Sequence, residues 1–445
     1  MTFLYFAYGS NLWPPQMRGR CPSARPVGTA SLDGWAPVYD KPSRDGSAKL
    51  SIRERHGAVA QGVIYEIADD ERTSLDSAEH LYDPLTATVN TDAGERLEVV
   101  TYRWSGAPSP ALPYDWYVAM AQAGAAHHRL SKAYYSNHLS SEADDDPLAP
   151  GIRPATADDL PMMQDILSEA IATEGSRYTI HPGDLAWWMF HADPRYADQL
   201  SFWVQGETGV LVIYTKGSEI SAFARPGVPV VPMIEWAQRR MGGVGEVGWV
   251  SDEDTELVAY LESEGYEPVA TDRSYRWDLT TSALATNVGG RGTRDIPKPD
   301  LPPGWELRHL LGEHEADNRR RASHAAFRSK MDGAMHLDRY LGFMRSPVYE
   351  PRRDLVAVAP DGRVAAFMVW WPDVSGIAQI EPFGTHPDFQ RQGIGRALIH
   401  FGLGEMAEAG MRVARVGTND WREDATGFYR GVGFVEDGLV RWWGH

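Results

Sequence analysis

Gln390-Arg391-Gln392-Gly393-Ile394-Gly395-Arg396 is the stretch on which the reading of the fold turns. It follows Gln379 to Thr385, which reads as a strand, and His386-Pro387, which stops that strand. It opens Ala397 to Ala409, where Leu398, Ile399, Leu403 and Met406 keep the spacing of one helical face. Glycines at a strand-to-helix turn let the backbone approach a phosphate, and the helix start offers unpaired N–H groups and the positive end of its dipole. A lone G-x-G is most often a plain turn; between this strand and this helix it predicts a phosphate-binding loop. Val413 to Gly417 reads as the next strand.

Upstream of the loop, Leu355 to Ala359, the turn Pro360-Asp361-Gly362 and Val364 to Trp371 read as a β-hairpin. The same plan occurs earlier: Ser201 to Val204, a turn over 205–209, and Val210 to Tyr214. Each copy closes with a helix, a Gly-aromatic step (Glu264-Gly265-Tyr266 and Val432-Gly433-Phe434) and a last strand. A spacing of about 150 residues is too long for a solenoid, so this reads as a duplication. At the loop position the middle copy has Phe223 to Pro232, where Pro226, Pro229 and Pro232 supply no N–H donors and the G-x-G is absent. Aligning the Gly-aromatic steps sets Leu261 opposite Tyr429. The middle copy therefore reads as one that has lost phosphate binding, and that shapes an acceptor site or stabilises the third domain.

The loop, its flanking strands and the Thr418-Asn419-Asp420-Trp421…Gly427-Phe428-Tyr429 segment resemble the GNAT superfamily of acetyl-CoA-dependent N-acyltransferases. The resemblance implies that Gln390, Arg391, Gln392, Gly393, Ile394, Gly395 and Arg396 bind the CoA pyrophosphate, while Phe383, Gly384 and Thr385 hydrogen-bond its pantetheine. Val413 to Gly417 would splay from the preceding strand to admit the thioester. Asn419 and Tyr429 match the family's closing motif, with Tyr429 as the acid for the departing thiolate; a packed helical aromatic is its other reading. IEPFGTHP resembles the segment of those GNATs whose strand glutamate is the base, which makes Glu381 the candidate, and a base must reach the amine directly or through one water. Trp370 and Trp371 read as acceptor-pocket residues or, more simply, as core.

The first segment is β-rich. Phe3 to Tyr8 is an apolar run ending at Gly9, Ala58 to Ile67 and Leu97 to Trp104 read as strands, and Tyr117 to Leu130 as a closing helix. In Tyr8-Gly9-Ser10-Asn11-Leu12 the glycine permits a tight turn whose N–H groups converge on a carboxylate. Glu79 lies between Leu75 and Leu81, taken as buried positions, and a carboxylate beside an apolar wall has its pKa raised toward that of an amine-handling base.

Together FLYFAYGSNL, RCPSARPVGTASLDGW, SRDGSAKLSI, GVIYEI, LDSAEHLYD and LSKAYYSNHL resemble the gamma-glutamylcyclotransferase family across this whole segment. The resemblance implies a mixed β-barrel/α domain in which Tyr8, Gly9, Ser10, Asn11 and Leu12 hold a γ-glutamyl group. It makes Glu79 the acid/base and sets Tyr134 at the pocket. The implied reaction releases 5-oxoproline and an amine. His80 stands where the family commonly has glycine, which favours an alternative: an N-acetyltransferase with a non-catalytic, small-molecule-binding N-terminal domain.

The expected class is therefore an α/β (α+β) multidomain chain: 1–140 cyclotransferase-like, 141–150 linker, 151–280 degenerate GNAT, 281–303 linker rich in Gly and Pro, and 304–445 catalytic GNAT. The chain has 445 residues and a net charge of −18, an excess that argues against a nucleic-acid binder. Residues 151–300 hold 12 basic and 23 acidic side chains, an acidic flank suited to a cationic amine. No apolar run spans a membrane, and Met1 to Arg20 lacks the pattern of a signal peptide. One cysteine, Cys21, rules out an internal disulfide framework and fits a cytoplasmic setting. No metal is expected, and the partners expected are a small-molecule amine and a γ-glutamyl amide.

Overall fold

The computed structural model describes residues 1–174, 180–191, 200–205, 209–215, 219–241, 245–279, 295–328, 333–346 and 348–445. These fall into two units: Met1–Thr156 with Arg195–Ala222 and Pro229–Gly245, and Ala157–Pro194 with Phe223–Val228 and Glu246–His445.

In the first unit the apolar start of the chain forms β1 (Thr2–Ala7), followed by β2 (Arg25–Pro42), β3 (Ala48–Ala68), β4 (Asp83–Thr91) and β5 (Arg96–Arg103). They close a barrel in the order β1-β3-β2-β4-β5. β1 runs antiparallel to β3 from Thr2↔Ala68 to Ala7↔Val63 and meets β5 in parallel at Tyr5↔Val100. Phe6, Ile52, Ile64 and Val99 are buried. The closing helix runs Asp115–His127, near its expected span.

The stretch 141–150 is anchored. Asp146 is buried and accepts hydrogen bonds from Trp116 Nε1 (3.0 Å) and Arg239 (3.1 Å). β6 (Arg153–Pro154), β7 (Leu200–Gln205) and β8 (Val210–Thr215) pair as a ribbon, which includes the hairpin read from sequence; 206–208 of its turn lie outside the described residues. Trp203 of β7 meets Trp13 (5.0 Å) and Trp236 (5.1 Å), and the Arg240 guanidinium lies 4.3 Å from the Trp203 ring centre and 4.6 Å from that of Trp116. β9 is Glu219–Ala224.

The second unit contains β10 (Glu246–Ser251), β11 (Glu267–Asp278), β12 (Glu306–His309), β13 (Asp354–Val358), β14 (Val364–Pro372), β15 (Ile377–Thr385), β16 (Val413–Asn419) and β17 (Val435–Gly444). They pair in the order β12-β13-β14-β15-β16-β11-β17-β10. β11, from the middle copy, is thus inserted between two strands of the third, antiparallel to both. The hairpin β13–β14 and both Gly-aromatic steps are as read: Gly265 (φ +83°) and Gly433 (φ +126°) end their helices with the positive φ that glycine tolerates. Leu355, Met368, Ile380, Leu398, Leu403 and Val416 belong to one core. The glycines of the second expected linker, Gly289, Gly290 and Gly292, lie outside the described residues, while Ile296 and Leu301 pack against that core.

No helix among the described residues is long and apolar enough to cross a membrane, and no group of His, Cys, Asp and Glu among them is arranged to hold a metal ion.

Candidate active sites

In the first unit, β1 delivers the chain into a single turn of 3-10 helix, Ser10–Leu12, which has no side-chain cap. Asn11 is buried, and its Nδ2 donates to Glu79 Oε1 and to the Tyr5 hydroxyl, each at 2.8 Å. Glu79 caps the C-terminus of the short helix Arg72–Ala78 and is 9% exposed. The Arg20 guanidinium pairs with Glu79 Oε1 and donates to Asn11 Oδ1 (2.9 Å). Glu79 therefore faces an amide and a cation rather than the apolar wall expected. Leu75 is buried as anticipated, but Leu81 is 52% exposed, because it adopts φ +72° in the turn after the helix and its side chain points outward. His80 is exposed.

Tyr8 is buried with its hydroxyl donating to the Tyr102 carbonyl (2.6 Å), and Leu12 is fully buried. These two fix the turn. Tyr134 is buried in the helix Lys132–His138, and its hydroxyl accepts from Gln61 N (2.9 Å) and donates to Gln61 O (3.3 Å), pinning that helix to β3.

In the second unit, β15 and β16 begin in parallel at Ile377↔Val413 and stay paired only to Gln379↔Arg415, although β15 runs on to Thr385 and β16 to Asn419. A cavity of about 1130 Å³ opens where they part. The predicted loop forms one side of it. Arg391 (φ +63°) and Gly393 (φ +82°) turn the chain, and the helix Ile394–Glu408 starts with no side-chain cap on its first N–H groups. A Cβ on Gly395 would lie 2.7 Å from Thr385 Oγ1, so backbone is kept close to the strand there. These features fit a phosphate-bearing co-substrate. Phe383, Gly384, Thr385, Asn419 and Tyr429 line the same cavity, as do Gln390, Arg391, Ile394 and Arg396. Gln392 does not; its Nε2 donates back to the Asp388 carbonyl (3.0 Å).

Glu381 also faces this cavity. Burial first, then the charges of Asp184 and Asp272, push its carboxyl up to about 8. Tyr429 is buried, and burial together with Glu381 raises its hydroxyl well above its ordinary range, so it keeps its proton. Its ring lies 5.8 Å from Tyr275 and 6.3 Å from Phe383, so it is both a packed aromatic and a cavity residue.

Two family profiles match the chain: "Gamma-glutamyl cyclotransferase, AIG2-like" over residues 5–118 and "Acetyltransferase (GNAT) family" over 321–434. The chain joins a gamma-glutamylcyclotransferase-like domain to GNAT folds. These are a cyclotransferase and an acyltransferase domain in one polypeptide. A gamma-glutamylcyclotransferase of Bos taurus is 29% identical over 155 residues, covering 32% of this chain and 81% of that protein. A mycothiol acetyltransferase of Nocardiopsis dassonvillei is 26% identical over 222 residues, covering 46% of this chain and 66% of its own length. Among solved structures, a tandem GNAT protein from the clavulanic acid biosynthesis pathway is similar over 66% of this chain and 97% of its own, at 16% identity and a TM-score of 0.45.

The GNAT cavity has a wall that sequence reasoning missed. Asp184, Trp187 and Trp188 of the helix Pro182–His191, Trp249 of β10 and Asp272 of β11 all come from the middle copy. Asp184 is 5% exposed, accepts from His181 N (2.8 Å) and is pushed up to about 7 by burial. No motif marks these residues. The nearest signal was the acidic excess of the middle copy, which named a segment but no side chain. Trp370 and Trp371 are core residues: both are 4% exposed, and Trp371 Nε1 donates to the Glu381 carbonyl (2.8 Å). Arg20 was likewise missed in the cyclotransferase-like domain, since it lies 59 residues from Glu79.

Proposed function

We propose that the chain is a bifunctional enzyme. Its GNAT module transfers an acetyl group from acetyl-CoA to an amine, and its first domain cyclises a γ-glutamyl amide to 5-oxoproline with release of an amine. The observation that carries the first activity is one cavity lined by Gln390, Arg391 and Gly393 to Arg396 of the loop together with Glu381 and Tyr429. Glu381 takes the proton of the acceptor ammonium, the amine attacks the thioester carbonyl, and Tyr429 returns a proton to the thiolate. Asp184 and Asp272 add negative charge to that wall, which supports a cationic acceptor.

For the cyclisation, the free α-amine attacks the substrate's own side-chain amide carbonyl. The ring C–N bond forms, the original amide C–N bond breaks, and Glu79 carries the proton from the attacking to the leaving nitrogen. Asn11 holds the carboxylate in place, so orientation supplies much of the rate. The exposed side chain of His80 leaves Glu79 and its partners unobstructed, which supports catalysis over mere binding by this domain. Both reactions converge on an amine, which supports sequential action on one metabolite in the cytoplasm.

The test is an assay of the full chain with a γ-glutamylated amine and acetyl-CoA. Release of 5-oxoproline that survives Glu79→Gln removes the first activity, and a melting temperature unmoved by CoA removes the second; a ligand at 100 times its Kd stabilises by about 2.7 kcal/mol.

A further inference from the structure

β2 ends at Tyr39-Asp40-Lys41-Pro42, and Lys41 is turned inward, 8% exposed. Its ammonium lies 4.6 Å from the ring centre of Tyr82, a cation–π contact. It makes no hydrogen bond or ion pair among the described residues. A lysine held this way is costly, since water has been removed and no oxygen has replaced it. Tyr82 N donates to the Glu79 carbonyl (2.9 Å), so the ring under Lys41 belongs to the turn that carries Glu79 and its partner Arg20. Burial lowers the Lys41 pKa, the charges of Glu79 and Asp45 work against that, and those of Arg20 and Arg44 add to it. Lys41 and Arg20 flank one carboxylate, Glu79, whose Oε1 already accepts from both Arg20 and Asn11, while Asp45 is paired with Lys49 (2.7 Å) and Arg44 adds a further positive charge. The neighbourhood is short of negative charge.

We propose that Lys41, with Arg20 beside it, is the subsite for the α-carboxylate of the γ-glutamyl group. The inference rests on the cyclotransferase reading of this domain and deepens it. The α-amine and α-carboxylate of such a substrate leave the same carbon atom. With the carboxylate on Lys41 and Arg20, the amine is presented to Glu79, the group that must deprotonate it before attack. The carboxylate takes no part in the bond changes and is retained in 5-oxoproline, so the product holds the same subsite as the substrate.

The probes are 5-oxoproline and 2-pyrrolidinone, identical rings with and without the carboxylate. Their binding to the full chain is measured by calorimetry for wild type, Lys41→Met, Lys41→Arg and Arg20→Gln, with turnover of a γ-glutamyl amide followed on the same samples. Wild type is expected to favour 5-oxoproline by roughly ten- to hundredfold, the span of a charge-assisted contact. Lys41→Met brings the two ligands close to equal, Arg20→Gln reduces the preference, and Lys41→Arg keeps most of it. Retained 2-pyrrolidinone binding and an unchanged melting temperature identify a folded Lys41→Met protein. A wild type without preference, or a preference untouched by Lys41→Met, overturns the subsite. A chain that binds with this preference and turns nothing over leaves the subsite standing and removes the cyclotransferase reading.

Discussion

Burial, and after it the charges of Asp184 and Asp272 on the same wall, makes ionising Glu381 harder, so its carboxyl is pushed up from 4.5 to about 8. Acetylation is expected to rise with pH to a midpoint near that value, as the base form accumulates. Asp272→Asn removes one repelling charge and shifts the midpoint of the rate profile downward; an unmoved midpoint argues that another group is the base. Glu381→Gln is expected to cut kcat by roughly 10²- to 10⁴-fold, read by CoA release. Stability carries the opposite sign from the usual carboxylate. Between about 4.5 and 8 the folded state binds more protons than the unfolded chain, so stability falls as pH rises through that window. Glu381→Gln flattens this fall in a pH series of thermal melts. At this scale the positions of Glu79, Glu381 and Tyr429 as candidates were legible because each sits in a local motif. Arg20, Lys41, Asp184 and Asp272 were not, because their neighbours are brought to them only once distant strands and helices meet.

The helix Ile394–Glu408 owes its start to Gly393, whose φ of +82° a side chain adopts at a cost of about 1–2 kcal/mol. Gly393→Ala is expected to distort the loop and raise KM for acetyl-CoA by roughly tenfold, with kcat changed less; steady-state kinetics in acetyl-CoA decide it. On the opposite wall, the helix Pro182–His191 docks through Gly183, where a Cβ would fall 2.3 Å from Trp371 Cγ. Gly183→Ala therefore moves Asp184, Trp187 and Trp188 and is expected to raise KM for the acceptor while sparing that for acetyl-CoA. Elements with a clean period were legible: the strand before the loop, the helix after it, and both hairpins. β2 was not, because Gly28, Gly34, Pro26 and Pro37 interrupt its alternation along 18 residues, and its strand character comes from pairing with β3. Leu81 misled for a related reason, since spacing reports which face a residue shares and not where a left-handed turn will send it.

Composition and duplication divide the sequence into three segments, whereas packing divides the chain into two units. Residues 195–222 and 229–245 fall in one unit with the barrel, and Trp13, Trp116, Trp203 and Trp236 meet there around Arg240. A fragment ending at Pro150 would expose Trp13 and Trp116, each at most 9% exposed in the whole chain. Such a fragment is expected to melt well below the full chain or to precipitate, as heating with tryptophan fluorescence would report; equal stability would place the boundary back at the sequence-read linker. β11 has a different kind of consequence. Its partners lie far along the chain, with Asp272 beside both Asn419 and Val440. A ribosome must go on from β11 to make residues 413–444 before that strand finds its neighbours, so its pairing is a long-range step in folding. That strand is contributed by the middle segment of the sequence. Deleting the gene segment that encodes it would leave the acetyltransferase sheet with a missing stave, so selection for the third copy also preserves the second.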